Sequence, residues 1–526
     1  MNTFEQVLIG GRWCASLDAQ SGFRAEDPSR AEAIGPAFPI SGAADIEAAM
    51  RAAIGAADAL SAAPPAHIAA FLEAYAAAID ADADRLVTLA HAETALPAEP
   101  RLRSVELPRT SNQLRLAAKA VRGYTWTDPV IDTKGGLRAH RAPLGKPVLV
   151  FGPNNFPFAF NAIAGSDFAS AIAARNPVIA KAHPLHPATS QRLAQLAHTA
   201  LLEAGLPAAS VQMLYHFDNA LGLAWAGDAR LGAIGFTGSR SGGLALKSAA
   251  DKVGVPIYAE LSSVNPVFLL SGALTERSDA LAQEFFASCT MGSGQFCTNP
   301  GVVIVPDGER GNAFVAAATR LFAAGEPKVL FARGVKQNLE HAVAGLQQAG
   351  AQALAGGHSS DGNRFQPTLL SVSGDAFLAH ARALQAEAFG PVSLIVQATD
   401  TATMQHIAAA FEGNLTGTIY RADDGSDDAA WRALAPALRS KVGRLIANKM
   451  PTGVAVSAAM NHGGPYPSTS HPGFTAVGMP AAIHRFTALH SYDNVPETLL
   501  PTELRDRNPG GVQRLIDGNW TDGDVA

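Results

Sequence analysis

The sequence predicts an α/β fold built on parallel sheets, and two observations support this prediction. From Pro147 onward, short apolar runs alternate with amphipathic segments of helical period. Strands that are buried on both faces of a parallel sheet have this continuous apolar character, and the helices between them cover the sheet. The chain of 526 residues exceeds what one hydrophobic core holds, so two or three domains are expected.

The predicted elements fall into three successive regions. Before Pro147, we expect a strand and tight turn at 7–13, helices at 44–60, 66–92 and 108–122, and a hairpin at 129–143. The next region has strands at 147–151, 177–181, 211–214, 231–236 and 255–259, with helices at 162–175, 188–205 and 241–253. After Glu260, strands are expected at 266–270, 301–305 and 391–396, with a helix at 278–290.

These regions predict three parts of the molecule. A first α/β domain combines residues 1–128 with 144–259, and a second spans 260–480. A small element joins the hairpin 129–143 to the polar tail 481–526. We expect this small element to pair with other subunits in a homodimer or homotetramer. An active site is expected in the cleft between the two α/β domains.

Composition and charge exclude several classes of protein. The net charge of −6 is spread without long runs of one sign, so no nucleic-acid partner is expected. The three cysteines argue against a disulfide framework and indicate a reducing compartment. The longest apolar stretch, 255–270, is broken by polar residues and is shorter than the roughly 20 residues of a membrane helix. The N-terminus lacks the pattern of a signal peptide, so a cytoplasmic location is expected.

Cys297 is the strongest candidate nucleophile. It lies in the Gly-rich segment GQFCTNPG (294–301), where glycines let the backbone approach a small substrate closely. A thiolate attacks a carbonyl carbon well. The alternative is a buried, inert cysteine, which is the commoner fate of a free cysteine when this context is taken alone.

Two further polar residues follow predicted strands. Glu260, in YAELSSVNP (258–266), would lie at the carboxyl edge of the sheet and could act as a general base. Asn155, in FGPNNFPFAF (151–160), could direct an amide N–H at a developing oxyanion. The alternatives are a surface Glu in a salt bridge and an Asn that forms a turn or caps a helix.

The segment IGFTGSRSGG (234–243) predicts a strand, a Gly-rich turn and a helix. A pyrophosphate can meet backbone N–H groups at such a turn. The segment lacks the GxGxxG fingerprint, so an ordinary strand-to-helix turn is the alternative. No cluster of ligands with metal-binding spacing is evident, and the pair His183 and His186 lies among prolines that favour a loop. We therefore expect no metal.

Taken together, these segments resemble the aldehyde dehydrogenase superfamily. GPNNFP, IAKAHP, GFTGS, YAELSS, GQFCTNPG and EAFGP occur in the order typical of that family and span most of the chain. The Asn-Asn form of the first motif and GQFCTNPG are most similar to the branch of α-ketoglutarate semialdehyde (2,5-dioxovalerate) dehydrogenases. Related NADP-dependent long-chain aldehyde dehydrogenases belong to the same branch. The resemblance implies a Rossmann-type dinucleotide domain (1–128 and 144–259), a catalytic domain (260–480) and an oligomerisation element.

The resemblance also implies roles for individual residues. Cys297 corresponds to the nucleophile, Glu260 to the general base, and Asn155 to the oxyanion-binding amide. Lys181 corresponds to the lysine at the adenosine ribose, Gly238 and Ser239 to the pyrophosphate turn, Glu387 to the carboxylate at the nicotinamide ribose, and Phe389 to the aromatic near the nicotinamide. The expected cofactor site also includes Phe151, Pro153, Gly235 and Leu261.

Two departures from the family pattern bear on these roles. Ser262-Ser263 replaces the usual glycine pair after the general base, which affects how Glu260 is posed. Pro184 stands where NAD-preferring members often have Glu. Without that carboxylate a 2′-phosphate is not repelled, so NADP is favoured over NAD, with Arg240 and a protonated His183 as possible contributors.

The substrate is expected from the branch resemblance to be α-ketoglutarate semialdehyde, and the alternative is a medium- or long-chain aldehyde. Arg109, on the helix RTSNQLR (109–115), is the candidate partner of the substrate carboxylate, with a solvated or intersubunit arginine as its alternative. Arg115 points elsewhere and is expected to be structural. Phe156 and Phe160 would wall the apolar stem of the substrate.

Two other classes of protein are alternatives to an aldehyde dehydrogenase. A non-catalytic scaffold conflicts with the complete set of Cys297, Glu260 and Asn155. A cysteine hydrolase or acyltransferase would need a histidine partner for the cysteine, and it leaves Lys181 and Glu387 without a role.

Overall fold

The computed structural model describes residues 4–525, and they form a mixed α/β structure with three main sheets. The N-terminal part contains β1 (Val7–Ile9), β2 (Arg12–Cys14), β3 (Gly22–Asp27), β4 (Glu32–Pro39), α1 (Ala43–Ser61), α2 (Pro65–Ala81), α3 (Ala83–Thr94), α4 (Leu107–Arg122), β5 (Val130–Asp132) and β6 (Leu137–Pro143). The predicted helix at 66–92 is wrong as one element, since two helices meet at Asp82.

The middle of the chain alternates strands and helices. It contains β7 (Val148–Phe151), α5 (Ser166–Ala173), β8 (Val178–Lys181), α6 (Pro187–Glu203), β9 (Val211–Leu214), α7 (Asn219–Ala226), β10 (Ala233–Thr237), α8 (Arg240–Asp251) and β11 (Ile257–Glu260). These strands are almost wholly buried, as the apolar runs predicted.

The C-terminal half has more elements than the sequence predicted. It contains β12 (Val267–Leu269), α9 (Ser271–Thr290), β13 (Val302–Pro306), α10 (Glu309–Ala324), β14 (Lys328–Val329), α11 (Arg333–Gln348), β15 (Gln352–Ala355), β16 (Arg364–Phe365), β17 (Thr368–Ser373), α12 (Gly374–Ala379), α13 (Ala381–Leu384), β18 (Val392–Ala398), α14 (Thr401–Ala410), β19 (Asn414–Tyr420), α15 (Asp428–Arg439), β20 (Val442–Ala447), β21 (Thr487–Asp493), β22 (Arg514–Ile516) and β23 (Asn519–Thr521). Strands β17, β19 and β20 were not predicted, because Ser, Thr, Asn and Gly interrupt their apolar pattern.

The first sheet has the order β11-β10-β7-β8-β9-β1-β2, and its five strands from β11 to β9 are parallel. From β7 the chain moves outward through β8 and β9, then returns to β10 and β11 on the other side. Ligands of open α/β sheets bind where the strand order reverses in this way, outside the carboxyl ends. The register aligns Phe151 with Lys181 on one side and with Phe236 on the other, and pairs Thr237 with Glu260.

The second sheet has the order β15-β17-β18-β13-β12-β19-β20, with only the edge strand β15 antiparallel to its neighbour. Its two faces are covered by separate hydrophobic clusters. The α/β prediction with parallel sheets is confirmed. Apart from Glu260, the last residue of β11, the two large sheets lie within the ranges assigned to the two predicted domains, whose exact boundaries stay a prediction.

A third sheet, β21-β6-β5-β22-β23, joins the predicted hairpin to the tail. Strands β6 and β21 pair over seven residues, from Leu137 with Asp493 to Pro143 with Thr487. Leu489 and Trp520 on this sheet are 75% and 65% exposed. They lie on the two edge strands of the sheet, and exposed large apolar side chains are a common feature of association surfaces.

The segment before β21 belongs to the first core. Met479, Ile483 and Phe486 are buried in the cluster that covers the first sheet. Arg485 is 3% exposed, and its guanidinium pairs with Asp167 of α5 at 2.6 Å. The chain thus returns to the first sheet after completing the second, which a division at residue 480 does not capture.

Candidate active site

A cavity of about 900 Å³ opens at the carboxyl ends of the first sheet and faces the second domain. Its volume lies in the range of small-molecule and cofactor sites. Many of the residues that were expected at the active site line this cavity, namely Phe151, Pro153, Asn155, Lys181, Gly238, Ser239, Glu260, Leu261, Cys297, Glu387 and Phe389. The structure therefore brings together residues that are up to 238 positions apart in the chain, from Phe151 to Phe389.

Cys297 is presented by a sharp turn after α9. Gly292, Ser293 and Gly294 have φ angles of 54°, 60° and 69°, a left-handed conformation that reverses the chain. A side chain on Gly294 would lie 2.1 Å from the carbonyl oxygen of Gly390, so only glycine can occupy this position. On the other side, Asn265 donates from Nδ2 to the Cys297 carbonyl at 2.9 Å. The nucleophile turn is thereby fixed from both ends.

Asn155 lies in the loop after β7 and is 5% exposed. Its Nδ2 donates to the carbonyl of Gln295 at 3.0 Å, which holds the amide beside the nucleophile turn. The loop itself is braced by Arg101, which donates to the Asn155 carbonyl at 3.1 Å and pairs with the buried Glu106. Glu106 in turn accepts hydrogen bonds from the N–H groups of Phe158 and Ala159, at 2.9 and 3.0 Å.

Glu260 ends β11 and is 2% exposed. Its Oε1 lies 3.0 Å from Nε2 of His462. Its Oε2 is buried and has no hydrogen-bond partner among the described residues. A carboxylate with one oxygen held and the other free can accept a proton from a water molecule that enters the cavity.

The electrostatics of the two cysteines near the cavity are unfavourable to ionisation. Burial raises the pKa of Cys297 well above its usual value, and the nearby Glu260 carboxylate raises it further. The charge of Arg109 acts in the opposite direction. Burial also raises the pKa of Cys289 to about 12, and the cavity does not include it. Cys297 therefore needs a proton acceptor before it can attack.

Lys181 and Ser239 form the other end of the cavity. Burial lowers the pKa of Lys181 to about 8, and no described carboxylate compensates for its charge. Ser239 caps α8 by accepting a hydrogen bond from the N–H of Gly242 at 3.2 Å. A buried ammonium without an internal anion and the N-terminus of a helix suit a ligand that carries hydroxyl and phosphate groups. These residues fit a dinucleotide.

Glu387 lies between this end and the nucleophile, and burial raises its pKa to about 7. The Ser262 hydroxyl and the Ser263 N–H stabilise its ionised form. The serine pair that departs from the family pattern is thus placed next to a predicted cofactor residue. This contact could not be inferred from spacing.

Some predicted cofactor contacts are not supported. Gly235 does not line the cavity. A side chain at this position would lie 2.7 Å from Oδ2 of Asp167, so glycine is needed here for β10 to pack against α5. Arg240 already pairs with Glu412 at 2.7 Å. Burial lowers the pKa of His183 well below its usual value, which leaves the imidazole neutral at neutral pH. Neither side chain supplies the positive charge that was expected to favour NADP.

The substrate side of Cys297 is aromatic. Phe156 and Phe160 are 6% and 7% exposed, and Phe296 and Phe474 pack in the same cluster. The Arg109 guanidinium lies 5.6 Å from the Phe156 ring and 5.0 Å from the Phe160 ring. Arg115 instead pairs with Asp80 at 2.6 Å in a half-exposed position.

Three residues near the site escaped the sequence analysis. His462 lies 3.6 Å from Cys297 Sγ through its Nε2. The Arg101 guanidinium packs over Phe156, 4.6 Å from the ring centre. Arg444 is near enough for its charge to act on Cys297, and burial lowers the pKa of Arg444. Only His462 had a signal, since it lies in the Gly- and Pro-rich segment NHGGPYP (461–467), but nothing local connects it to Cys297.

The histidine changes two arguments made from the sequence. Glu260, Cys297 and His462 place one polar atom each within 4.8 Å of one another, a cluster that the spacing of the sequence did not indicate. A cysteine hydrolase can no longer be dismissed for lack of a histidine partner.

The fold and the site together define an aldehyde dehydrogenase, and the chain belongs to the aldehyde dehydrogenase family, whose sequence model matches residues 13–491. The prediction of this enzyme class is confirmed. The chain is 40% identical to alpha-ketoglutaric semialdehyde dehydrogenase 2 of Azospirillum brasilense, over 98% of each protein. It is 36% identical to alpha-ketoglutaric semialdehyde dehydrogenase of Acinetobacter baylyi, over 86% of each.

Solved structures support the same fold. A crystal structure of PnpE in complex with nicotinamide adenine dinucleotide superposes with a TM-score of 0.79, covering 96% of this chain and all of that one, at 21% identity. Within residues 4–525, no helix is both long enough and apolar enough to cross a membrane.

Proposed function

We propose that the protein oxidises α-ketoglutarate semialdehyde to 2-oxoglutarate with NAD(P) as the hydride acceptor. The observation that carries the choice of substrate is the position of Arg109. Its Nε and Nη2 atoms are buried and have no hydrogen-bond partner in the described structure, and its guanidinium lies over the aromatic rings that wall the substrate side of Cys297. A buried cation without a partner favours a substrate that brings an anion.

The relatives support the same choice. Two proteins that share 40% and 36% of their residues with this chain are named alpha-ketoglutaric semialdehyde dehydrogenases. This substrate carries a 2-oxo acid at the end opposite to its aldehyde, so the aldehyde can reach Cys297 while the carboxylate meets Arg109. A fatty aldehyde would leave Arg109 unpaired, which makes the long-chain alternative less favourable.

Each catalytic residue has a step that its geometry permits. The Cys297 thiolate attacks the aldehyde carbon and forms a thiohemiacetal, whose oxyanion is held by Asn155 and the Cys297 N–H. When bound in the cavity, the nicotinamide ring would accept the hydride that leaves the thiohemiacetal carbon, and Cys297 would then carry a thioester. Glu260 then takes a proton from water through its free Oε2, and the hydroxide formed attacks the Cys297 thioester and releases the acid.

The dinucleotide would be held by residues along the rest of the cavity. Lys181 would donate to the adenosine ribose, the turn at Gly238 and Ser239 would bind the pyrophosphate, and Glu387 would accept from the nicotinamide ribose. Phe151, Pro153, Leu261 and Phe389 would supply apolar walls. NADP is favoured over NAD because Pro184 provides no carboxylate against a 2′-phosphate.

The quaternary structure and location extend the proposal. The exposed Leu489 and Trp520 on the third sheet fit its role as the contact between subunits of a homo-oligomer. A cytoplasmic location and the absence of nucleic-acid and membrane partners stay predictions.

The test of the substrate compares two aldehydes in three proteins. Wild type, Arg109→Ala and Arg115→Ala are assayed with α-ketoglutarate semialdehyde and with an uncharged aldehyde of similar length. A charge-assisted hydrogen bond contributes about 1.5–3 kcal/mol, so Arg109→Ala should lose roughly ten- to a hundredfold in kcat/KM on the acid substrate alone. Arg115→Ala, which removes an exposed ion pair, should lose little on either. Equal losses on both aldehydes would reject the role of Arg109, and a wild-type preference for fatty aldehydes would reject the substrate.

A further inference from the structure

His462 lies inside the active site and has no role in the mechanism above. It is 2% exposed, and its Nε2 lies 3.6 Å from Cys297 Sγ and 3.0 Å from Glu260 Oε1. One ring nitrogen thus faces both the nucleophile and the base. A proton on this nitrogen can be shared between sulfur and carboxylate without any movement of the ring.

The loop that carries His462 fixes the ring in this position. The His462 N–H donates to Oγ1 of Thr475 at 2.9 Å, and the His462 carbonyl accepts from the N–H of Ala476 at 2.7 Å. One face of the imidazole packs against Phe160, with ring centres 5.7 Å apart. A ring that is held on both its backbone and its face is suited to a proton transfer, because such transfers depend on a fixed geometry.

The surroundings of the thiol explain why a proton acceptor is required. Burial and the Glu260 carboxylate both oppose the formation of a thiolate at Cys297. The charges of Arg109 and Arg444 act on Cys297 in the favourable direction, but neither guanidinium can accept a proton. A neutral imidazole can accept one, and the resulting cation would lie between two anions.

We propose that His462 is the base that removes the proton from Cys297 before the thiol attacks the aldehyde. In this step the neutral imidazole starts with its proton on Nδ1, the S–H bond breaks, and an N–H bond forms at the unprotonated Nε2. The sulfur electron pair then forms the C–S bond, and the carbonyl π electrons move to the oxygen. The proposal rests on the role of Cys297 as nucleophile, and it is independent of which aldehyde is the substrate.

The same geometry divides the acid–base work between two residues. Once the imidazolium has formed, its Nε2–H can donate to Glu260 Oε1, 3.0 Å away, while Oε2 stays free for the water of the later hydrolysis. If Glu260 accepted the thiol proton instead, it would enter the hydrolytic step protonated and could not act as a base until it lost that proton. His462 removes this conflict.

Thiolate formation can be measured directly by alkylation with iodoacetamide, without aldehyde or cofactor. A Cys14→Ser background leaves Cys297 as the accessible thiol, because Cys289 is buried. The buffer contains a chelator, so that the thiol is measured free of metal. The rate is followed across the neutral and alkaline range in the full chain, for the parent and for His462→Gln, His462→Ala and Glu260→Gln. His471→Gln, an exposed histidine on the same loop, is the control.

Both His462 variants should alkylate at least about tenfold more slowly than the parent at neutral pH and approach it only at alkaline pH. His471→Gln should match the parent. Glu260→Gln should lose less of the alkylation rate than either His462 variant, because it removes the stabilisation of the imidazolium together with the charge that opposes the thiolate. In turnover it should release one burst of reduced cofactor and then stall.

Three results would overturn the proposal. Gln keeps an N–H donor for Glu260 but cannot accept a proton, so normal alkylation in His462→Gln with a loss in His462→Ala would show a positioning role only. A loss in Glu260→Gln without one in His462→Gln would make Glu260 the base. A parent enzyme whose alkylation rises tenfold per pH unit through neutrality would exclude an internal base, even if the variants failed to fold. Failure of the substrate proposal leaves all three readouts unchanged.

Discussion

Asn155 donates a hydrogen bond from Nδ2 to the carbonyl of Gln295, 3.0 Å away and two residues before Cys297. The bond connects the loop after β7 in the first domain to the turn after α9 in the second. It therefore ties the expected oxyanion-binding amide to the turn that carries the nucleophile. The distance between the two groups is set by this contact as well as by the packing of the two domains.

The first prediction concerns this amide. Asn155→Ala should lower kcat by about a hundred- to a thousandfold, because a donor to the developing oxyanion is lost in a water-poor site. The KM for the aldehyde should change little. Steady-state kinetics with Asn154→Ala as the matched control checks it, and similar losses in both variants would point to a general disturbance of the loop.

The second prediction concerns the nucleophile. Cys297→Ser should reduce aldehyde oxidation by roughly three orders of magnitude or more, since a hydroxyl is a far weaker nucleophile than a thiolate. Dinucleotide binding should stay nearly intact. Activity assays and calorimetry on this variant, beside Cys14→Ser and Cys289→Ser, provide the measurement. Near-normal turnover in Cys297→Ser would exclude a thioester mechanism.

The third prediction concerns the choice of cofactor. Pro184→Glu should reduce kcat/KM for NADP by about tenfold or more, through repulsion between the new carboxylate and the 2′-phosphate. The kcat/KM for NAD should stay unchanged or rise. Pro184→Gln, of the same length without the charge, is the control. A strong NAD preference in the wild type would show that another residue already rejects the 2′-phosphate.

The fourth prediction concerns pH. Burial raises the pKa of Glu387 to about 7, so its carboxyl loses its charge as the pH falls through neutrality. If the carboxylate accepts from the nicotinamide ribose, the KM for the dinucleotide should rise as the pH falls below neutrality, by up to about tenfold per pH unit.

Glu387→Gln should bind the dinucleotide more weakly and remove this dependence. Glu93 provides an internal comparison, because burial also raises its pKa to about 7 while it accepts hydrogen bonds from the N–H groups of Ala188 and Thr189 at 2.8 and 2.9 Å. Glu93 does not line the cavity and is unchanged in the Glu387→Gln variant. Any pH dependence that arises from Glu93 would therefore persist in that variant. An unchanged pH profile in that variant would assign the dependence to another group.

The sequence by itself determined the parallel α/β fold and the candidates Cys297, Glu260 and Asn155. Continuous apolar runs identify strands that are buried on both faces, and polar residues that follow such strands must lie at the carboxyl edge of the sheet. These are consequences of local pattern. The same reasoning missed β19 and β20, where polar residues and glycine interrupt the apolar pattern.

Only the tertiary structure decided which side chains meet. His462 reaches Cys297 across 165 residues, and Arg240 is paired with Glu412 across 172. Gly235 likewise proved to be a packing position against Asp167. Periodicity reports which face of an element is buried, but it carries no information about the partner that covers that face. The packing of distant elements supplies that partner.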